Sequence, residues 1–344
     1  MRDLMTEKLV LLDGGYFVSR MAKHWAPKGR FSRWMQKVER KRMDYGHFLN
    51  KVRKTVFQDL QYIQMRINQA GYGGCDVQVC WDGSNGRNHR GKLYPNYKKN
   101  RVPAKFLDSY NAEDYTNRDI REDYNALNLD AMKLRKNFVG HYDPALEADD
   151  LIADFVADNT NKDIIIFTQD SDLHQLLAIH PTLKFHNFTE SVEPVVNFNF
   201  DFYPDWKAMA GDASDNIPGI PNLGPKKATE LIINHGKLEN IPMEVFNNYR
   251  LAEGFKNHAS EVLKTFREDN EKSDGWAKRK YGVVWSQIEE QQNFCLNENQ
   301  YQKLLAADAV EDVWFVKESY FDTIKHYREI IALPSQLYVR QSKD

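Results

Sequence analysis

The sequence has few of the features that mark several large protein classes. Its 344 residues include three cysteines, at positions 75, 80 and 295, with no CxxC pair and no cysteine–histidine cluster. This sparse, odd count argues against a zinc site or a disulfide framework and fits a reducing compartment. No apolar run approaches the roughly 20 residues of a membrane helix, and residues 1–6 lack the apolar stretch of a secretion signal. We therefore expect a cytoplasmic protein with no membrane partner.

The chain also has little net charge, but its charges are unevenly distributed. The formal net charge is −2, yet residues 20–54 hold twelve Lys/Arg and two acids, and residues 84–105 hold seven Lys/Arg and no acid. These segments carry +10 and +7, so the remainder carries −19, the difference between −2 and +17. Basic segments can hold phosphates and acidic clusters can hold metals, although a charge run is also typical of a solvated helix face.

Three short apolar runs each end at an aspartate. Residues 8–12 precede Asp13, residues 77–81 precede Asp82, and residues 163–168 precede Asp170. Each run predicts a buried strand stopped by a turn. Helical spacing predicts helices between and after these strands, over residues 45–70, 144–158 and 173–179, and further strands over 183–188 and 195–200. This alternation predicts an α/β fold with a mostly parallel central sheet flanked by helices.

The character of the chain changes near residue 205, after which helices and tight turns dominate. We predict an α/β domain over 1–204 and a helical C-terminal region over 205–344, mostly helical beyond 237. Within the first domain, residues 84–105 predict a loop leading into a helix, and 108–138 are charged and predicted to be helical. The second region opens with a compact Pro/Gly hairpin at 211–236.

Nine carboxylates lie on segments that can converge at the carboxyl ends of the predicted strands, where open α/β sheets form their sites. They are Asp13, Asp82, Glu147, Asp149, Asp150, Asp170, Asp172, Asp212 and Asp215. Clustered carboxylates repel one another, and Mg²⁺ or Mn²⁺ is the natural counter-charge for such oxygen ligands. Two such ions about 4 Å apart would clamp the attacking water and the leaving oxygen of a phosphodiester hydrolysis. Taken singly, each acid also fits a simpler role as a turn residue or a helix cap.

Six segments, in this order along the chain, resemble motifs of the flap endonuclease / 5′-3′ exonuclease family, particularly its bacteriophage members, some of which are named phage RNase H. The segments are LLDGGYF (11–17), CWDG (80–83), RGKLYPNYKKNR (90–101), ALEADDLIAD (145–154), TQDSDLHQLL (168–177) and GDASDNIPGIPNLGPKKATELI (211–232). ALEADD, TQDSD and GDASDNIPGI are specific in combination, whereas one of them alone would be weak.

The resemblance implies a PIN/5′-nuclease-like fold with a helical arch insertion at about 84–140 and a helix-hairpin-helix-type (H3TH) element at about 211–236. It also implies two Mg²⁺ ions, for which Mn²⁺ may substitute. The first would lie near Asp13, Asp82, Glu147 and Asp149. The second would lie near Asp149, Asp170, Asp172 and Asp212, with Asp150 and Asp215 adjoining.

The resemblance further implies DNA contacts. Lys98 and Arg101 match positions beside the scissile phosphate, where cations stabilise developing charge, and Arg90 begins the same motif. Tyr97 can stack on a splayed terminal base, although ordinary packing is the alternative for Tyr97 and for Tyr94. The other residues expected to bind DNA are Arg87, Lys92, Lys99, Gly219, Gly224, Lys226 and Lys227. The family often holds a potassium ion at the hairpin, so K⁺ is suggested there too.

The sequence departs from the family pattern at three places. Asn222 stands where the family commonly has glycine, but asparagine tolerates positive φ. In the expected arch, residues 108–130 carry more acid than base, which argues against a strongly DNA-attracting arch. The basic segment 20–54, with Trp25 and Trp34, is longer than the family core requires, and we interpret it as an extra DNA contact. In residues 240–344 we can place no family motif firmly.

These observations predict a metal-dependent 5′-nuclease for DNA 5′ ends, flaps or nicks, or for RNA in an RNA–DNA hybrid. We expect a monomer that removes primers and flaps in DNA replication, works with replication proteins, and lies in the host cytoplasm if it is viral. The alternatives are a non-catalytic, structure-selective DNA-binding protein and a PIN-type RNase, which would lack the hairpin and the arch-length insertion. A phosphatase with a DxD nucleophile is disfavoured, because Gly15 stands at its second aspartate position.

Overall fold

The computed structural model describes residues 7–17, 30–99, 137–194, 196–247, 249–255, 294–297, 314–316 and 320–333, and the single positions 299 and 302. The chain forms two compact units. Unit 1 comprises Met1–His89 and Val102–Asn197, and unit 2 comprises Arg90–Arg101 and Phe198–Asp344. The basic segment 84–105, which we expected in the first domain, is therefore divided between the two units, since residues 90–101 group with unit 2. None of the described helices is long and apolar enough to cross a membrane.

The described part of unit 1 contains a six-stranded sheet. Its strands are β1 (Lys8–Asp13), β2 (Val77–Trp81), β3 (Phe138–Tyr142), β4 (Asp163–Phe167), β5 (Lys184–His186) and β6 (Ser191–Val192). The order is β3-β2-β1-β4-β5-β6, and all neighbours are parallel except β5 and β6. The predicted mostly parallel sheet is thus confirmed, and its centre is formed by the three strands that lead into aspartates.

The strand predictions differ from the structure in two places, one an unpredicted strand and the other a predicted strand that is not formed. Strand β3 falls at the end of the segment that we predicted to be helical, and it is an edge strand whose Val139 and Tyr142 are exposed. Conversely, no described residue of 195–200 lies in a strand. There the side chain of Asn199 accepts a hydrogen bond from the Asp201 amide and starts a 3-10 turn instead.

The helices of unit 1 pack their apolar faces on this sheet. They are α1 (Arg30–Glu39), α2 (Tyr45–Ile67) and α4 (Ala148–Asp158), while α3 (Gly86–Leu93) begins in the first segment of unit 1 and ends in unit 2. Helix α2 starts where Asp44 accepts a hydrogen bond from the His47 amide, and it buries Phe48, Val52 and Ile63 in the core below β1 and β2. A 3-10 helix at Ser171–Ala178 stands where a helix was predicted at 173–179.

Unit 2 combines helices with a small sheet. The helices are α5 (Tyr203–Ala210), α6 (Gly224–His235), α7 (Glu244–Asn247) and α8 (Tyr320–Ile331), and α5 packs against both α6 and α8. Strands β7 (Tyr249–Phe255), β8 (Phe294–Asn297) and β9 (Trp314–Val316) form an antiparallel sheet in the order β8-β7-β9. This sheet was not predicted, because its strands pair across long sequence separations that no local pattern reveals.

Candidate active site

The carboxyl edge of the sheet in unit 1 brings three predicted site residues together. Strand β1 lies between β2 and β4, so the chain continues to opposite sides of β1, and this switch point is where ligands bind in open α/β sheets. Asp13 is the last residue of β1, Asp82 directly follows β2, and Asp170 lies three residues beyond β4. The sheet order thus places all three aspartates at one edge.

Two glycines show how closely the first two carboxylates approach each other. A Cβ atom added at Gly15 would lie 3.2 Å from Asp13 Oδ1 and 3.9 Å from Asp82 Oδ2. At Gly14 a Cβ would lie only 2.5 Å from the Trp81 ring and 2.7 Å from the Cys80 carbonyl oxygen. The glycine pair after β1 therefore lets the chain turn against the end of β2 while both carboxylates face the same small space.

Asp13 is held by hydrogen bonds from two directions. Its Oδ1 accepts from the Tyr16 amide at 3.0 Å, and its Oδ2 accepts from the Thr168 hydroxyl at 3.1 Å. The Asp170 amide in turn donates to Thr168 Oγ1 at 2.9 Å. Buried Thr168 thus ties the end of β4 to the end of β1. We did not predict this role, although Thr168 opens the TQDSD motif.

The surroundings of Asp13 disfavour its charged form. The pKa of this carboxyl is raised from 3.8 to about 6. Burial is the largest cause, and the nearby carboxylates of Asp170 and Asp82 act in the same direction. The hydrogen bonds from Tyr16 and Thr168 act in the opposite direction. A buried carboxylate beside other carboxylates is what a bound cation would stabilise.

Helix α4 begins beside Asp82. The Ala148 amide at the first position of the helix donates to Asp82 Oδ1 at 3.0 Å. Glu147 is the N-cap, and it exchanges hydrogen bonds with Asp150 in a capping box in which the Glu147 amide donates to Asp150 Oδ2 at 3.2 Å. Glu147 and Asp150 are buried, whereas Asp149 in the first turn is half-buried. Capping therefore fixes two of the predicted acids and leaves the carboxylate of Asp149 partly open to solvent.

A pair of tight contacts fixes the turn that carries Asp82. The Gly83 amide donates to the Leu146 carbonyl at 2.7 Å, and a Cβ at Gly83 would lie 2.0 Å from the Asp143 carbonyl oxygen. At Gly86 a Cβ would lie 2.6 Å from the Leu146 carbonyl oxygen. The turn after β2 is thus packed against the residues that lead into α4.

Asp170 and Asp172 begin the 3-10 helix that follows β4. Asp170 is its N-cap, and Asp170 Oδ1 accepts from the Asp172 amide at 2.9 Å. Both residues are half-buried. The oxygen atoms offered by the seven acids of unit 1 are the hard ligands that Mg²⁺ and Mn²⁺ prefer.

Asp212 and Asp215 lie in unit 2, in a loop over residues 212–217, which we call the acidic loop. Asp212 and Ile217 close it with two backbone hydrogen bonds of 2.7 and 2.8 Å. Asp212 Oδ1 accepts from both the amide and the hydroxyl of Ser214 at 2.8 Å. Two lysines lie beside the acids: Lys207 Nζ is 3.4 Å from Asp212 Oδ2, and Lys98 Nζ is 3.9 Å from Asp215 Oδ1.

The basic residues after α3 differ in their surroundings. Lys98 is buried, has φ of 53°, and places its ammonium 4.7 Å from the centre of the Tyr97 ring, which is itself buried. Arg90 is also buried, and its Nε donates to the Ile330 carbonyl in α8 at 3.0 Å. That bond anchors α3 in unit 2, and a phosphate contact by Arg90 stays a prediction. Arg101 lies outside the described residues.

The other residues expected to contact DNA are mostly on the surface. Arg87, Lys92, Lys99, Lys226 and Lys227 are exposed. The Arg87 side chain also lies 4.0 Å from Glu147 Oε1. Lys226 and Lys227 lie in the first turn of α6, which begins at Gly224.

The hairpin before α6 has the backbone that its sequence suggests. Gly219, Asn222 and Gly224 all have positive φ, between 60° and 65°. At Gly219 a Cβ would lie 2.4 Å from the Gly211 amide nitrogen, so only glycine fits. The left-handed conformation of Asn222 agrees with the expectation that asparagine can replace glycine in this turn.

The basic segment 20–54 is described from residue 30 onward, and Trp25 lies outside that part. Arg33, Lys37 and Arg40 are exposed on or just after α1, and Lys51 places its ammonium 5.1 Å from the centre of the Trp34 ring. The described residues of α1 and α2 thus carry a basic surface. The central part of the expected arch, residues 100–136, lies outside the described residues.

Comparison with known protein families gives two matches that together cover most of the chain. Residues 8–197 match the model described as "5′-3′ exonuclease, N-terminal resolvase-like domain". Residues 199–274 match the model described as "5′-3′ exonuclease, C-terminal SAM fold". The first match alone spans more than half of the chain.

Similar proteins include a 5′-3′ exonuclease of Mycoplasmopsis pulmonis, 29% identical over 243 residues, which are 69% of each chain. DNA polymerase I of Deinococcus radiodurans is 36% identical over 105 residues, 29% of this chain and 11% of that protein. The chain therefore spans only a small part of the polymerase. Among solved structures, that of the T5 D15 protein co-crystallized with metal ions has a TM-score of 0.48 and 20% identity, and the match covers 68% of this chain and 77% of that one.

Proposed function

The chain belongs to the 5′-3′ exonuclease family, and from this premise we propose that it is a structure-selective 5′-nuclease, acting as a 5′-3′ exonuclease or flap endonuclease. It hydrolyses phosphodiesters at or near the 5′ end of DNA, or of RNA in an RNA–DNA hybrid. The observation that carries the proposal is the convergence of the Asp13 and Asp82 carboxylates beside Gly15, at the switch point of the sheet.

We propose that the acids of unit 1 hold two Mg²⁺ ions, for which Mn²⁺ can substitute. The ligands are drawn from Asp13, Asp82, Glu147, Asp149, Asp150, Asp170 and Asp172. When bound, the ions supply Lewis acidity to the water and the phosphoryl oxygens of the hydrolysis. That Asp212 and Asp215 adjoin the second ion stays a prediction.

The chain's own residues would then act on the substrate by position and charge. The amides of Tyr16, Ala148 and Asp172 orient three carboxylates before substrate arrives, which avoids reorganisation during the reaction. Lys98 supplies a cation for the charge that develops on the transferring phosphoryl group, as its match to the family motif implies. Its burial favours this role, because a cation in a water-poor environment acts more strongly than one in bulk water.

DNA binding would use the duplex backbone rather than base sequence. The exposed lysines and the first-turn backbone amides of α6 favour phosphate, and such contacts position DNA without reading its sequence. The basic surface on α1 and α2 would add an unspecific contact of the same kind. We retain K⁺ at the hairpin as part of the proposal. At this hairpin the Gly219 carbonyl oxygen accepts a hydrogen bond from the Tyr320 hydroxyl, which links the hairpin to α8.

Removal of RNA primers and of flaps during DNA replication is the process that this chemistry fits. We propose that the protein acts there as a monomer in the cytoplasm, in the host cytoplasm if it comes from a bacteriophage, with other replication proteins as partners. An RNase H activity on hybrids is the form that this role would take on primers.

The test is cleavage of end-labelled 5′-flap, nicked, blunt and RNA–DNA hybrid substrates, with Mg²⁺ or with EDTA, beside an Asp170→Ala control. We expect metal-dependent cleavage near the 5′ end that is lost in the control, and the product lengths separate trimming from flap removal. Binding to these substrates without cleavage in Mg²⁺ or Mn²⁺ would instead establish the alternative, a non-catalytic structure-selective DNA-binding protein.

A further inference from the structure

The segment after α3 folds into a compact pair of turns that carries Lys98. The Tyr97 amide donates to the Tyr94 carbonyl at 2.8 Å, and the Lys99 amide donates to the Asn96 carbonyl at 3.1 Å. Lys98 itself adopts a left-handed backbone with φ of 53°, which is uncommon for lysine. Local sequence preference does not favour this conformation, so contacts from elsewhere in unit 2 must hold it.

Those contacts come from the acidic loop, and Asn216 makes two of them. The Tyr94 hydroxyl donates to the Asn216 carbonyl at 2.9 Å, and the Asn216 side-chain amide donates to the Asn96 carbonyl at 2.9 Å. The neighbouring Asp215 adds a third, because the Lys98 amide donates to its carbonyl at 3.0 Å. Asn216 is thus bonded to two residues of the first turn, Tyr94 and Asn96.

The chemistry of asparagine matches this position. Asn216 has φ of 62°, a region that asparagine and glycine adopt more readily than other residues. Glycine would keep the backbone conformation but would have no amide to donate. Aspartate would keep the conformation and the size, but it would place a carboxylate oxygen against the Asn96 carbonyl oxygen, where a donor is needed.

We propose that Asn216 is a positioning residue of the nuclease reaction, and that it acts through Lys98 by holding the Tyr94–Lys99 turns against the acidic loop. The proposal rests on the proposed function, since Lys98 matters only if phosphodiester cleavage occurs. Asn216 is neither one of the nine acids that we predict to hold metal nor one of the residues that we assign to DNA, so the proposed effect on the reaction is indirect. One consequence is that the RGKLYPNYKKNR and GDASDN motifs act as a single assembly within unit 2.

The experiment measures kcat and KM for a 5′-flap substrate with saturating Mg²⁺ in the wild type, Asn216→Gly, Lys98→Ala and the double variant. We expect Asn216→Gly to lower kcat about 10- to 100-fold with little change in KM, since a displacement of about 1 Å can cost that much. In the Lys98→Ala background, Asn216→Gly should cause no further loss, because residues that act through one group are not additive.

Two further variants keep the test decisive. Tyr94→Phe removes the hydroxyl that donates to the Asn216 carbonyl, and it should lower kcat less than Asn216→Gly does. Asn199→Gly is the control: it too removes a hydrogen-bonding asparagine side chain in unit 2, one that accepts from the Asp201 amide and lies far along the chain from Lys98. Its kcat should equal that of the wild type.

The outcomes separate the two proposals. A wild type that fails to cleave in Mg²⁺ or Mn²⁺ would overturn the proposed function. A wild type that cleaves beside an equally active Asn216→Gly would overturn only the role of Asn216. So would a full additional loss in the Lys98→Ala background, because Asn216 would then act through Asp212 or Asp215 instead. If Asn216→Gly does not fold, Tyr94→Phe with and without Lys98→Ala gives the same comparison.

Discussion

In unit 1 the predicted metal ligands are held by backbone amides and by the ends of strands and helices, whereas in unit 2 they lie beside lysines. Asp13 accepts from an amide and a hydroxyl, and its neighbours include further carboxylates. Asp212 and Asp215 instead have ammonium groups at 3.4 and 3.9 Å. Unit 2 thus places a lysine beside each of its two acids, whereas Asp13 in unit 1 has carboxylates as charged neighbours, which agrees with our proposal that this edge of the sheet holds metal cations.

The largest expected effect tests this contrast at Asp13. Asp13→Asn keeps the shape of the side chain and can still accept from the Tyr16 amide, but it removes the charge. We expect kcat for Mg²⁺-dependent flap cleavage to fall at least about 1,000-fold, because both charge stabilisation and water activation depend on a bound cation. Isothermal titration with Mn²⁺ should show weaker binding in the same variant. Undiminished cleavage would mean that Asp13 is an ordinary strand-end residue.

The same substitution should change the pH dependence of stability in EDTA. Because the pKa of Asp13 is raised from 3.8 to about 6, the folded protein keeps this proton to a higher pH than the unfolded chain does. Its contribution to the free energy of unfolding is therefore present below pH 4 and lost as pH rises through 6. We expect a loss of about 3 kcal/mol. In urea titrations from pH 4 to 7, the difference in free energy of unfolding between Asp13→Asn and wild type should change by this amount. Parallel curves would contradict the raised pKa.

The parts of the fold that could be predicted are those in which local pattern and burial agree. Strands β1, β2 and β4 are apolar runs at the centre of the sheet, and each was predicted within one residue at either end. Strand β3 was missed because an edge strand leaves residues such as Val139 exposed and so lacks a buried run. The sheet of unit 2 was missed because its pairing is not local.

For the candidate site, the sequence predicts the acidic residues better than it predicts the residues that hold them in place by hydrogen bonds. The acids of unit 1 follow from strand ends and from motif resemblance, and the structure reports their positions without testing their roles. Thr168 and Asn216 were not singled out, because a hydroxyl or an amide becomes a positioning group only through contacts distant in sequence. The one local signal was an asparagine where a tight loop needs positive φ.

A smaller effect is expected on stability, when a glycine in each unit is replaced by alanine. Gly83→Ala in unit 1 would place a Cβ 2.0 Å from the Asp143 carbonyl oxygen, so we expect a loss of about 1–3 kcal/mol in the free energy of unfolding. Gly91→Ala is the matched control in the unit 2 part of α3, where a Cβ would meet nothing within 4 Å. It should gain up to about 1 kcal/mol, since alanine favours a helix more than glycine does. Equal urea midpoints for the two variants would show that the turn carrying Asp82 is not tightly packed.

The smallest effect concerns phosphate binding by unit 2. Lys226 and Lys227 lie in the first turn of α6, whereas Lys237 lies just beyond the other end of the same helix, and all three are exposed. Replacing Lys226 and Lys227 with glutamine should weaken binding to flap DNA and reduce the slope of log Kd against log salt concentration by about 2, one for each lost phosphate contact. Lys237→Gln should leave the slope nearly unchanged, because the phosphate-binding amides are at the start of the helix. If the slope changes by the same amount for each lysine removed in both variants, the lysines act only through net charge, and the hairpin does not bind the DNA backbone as proposed.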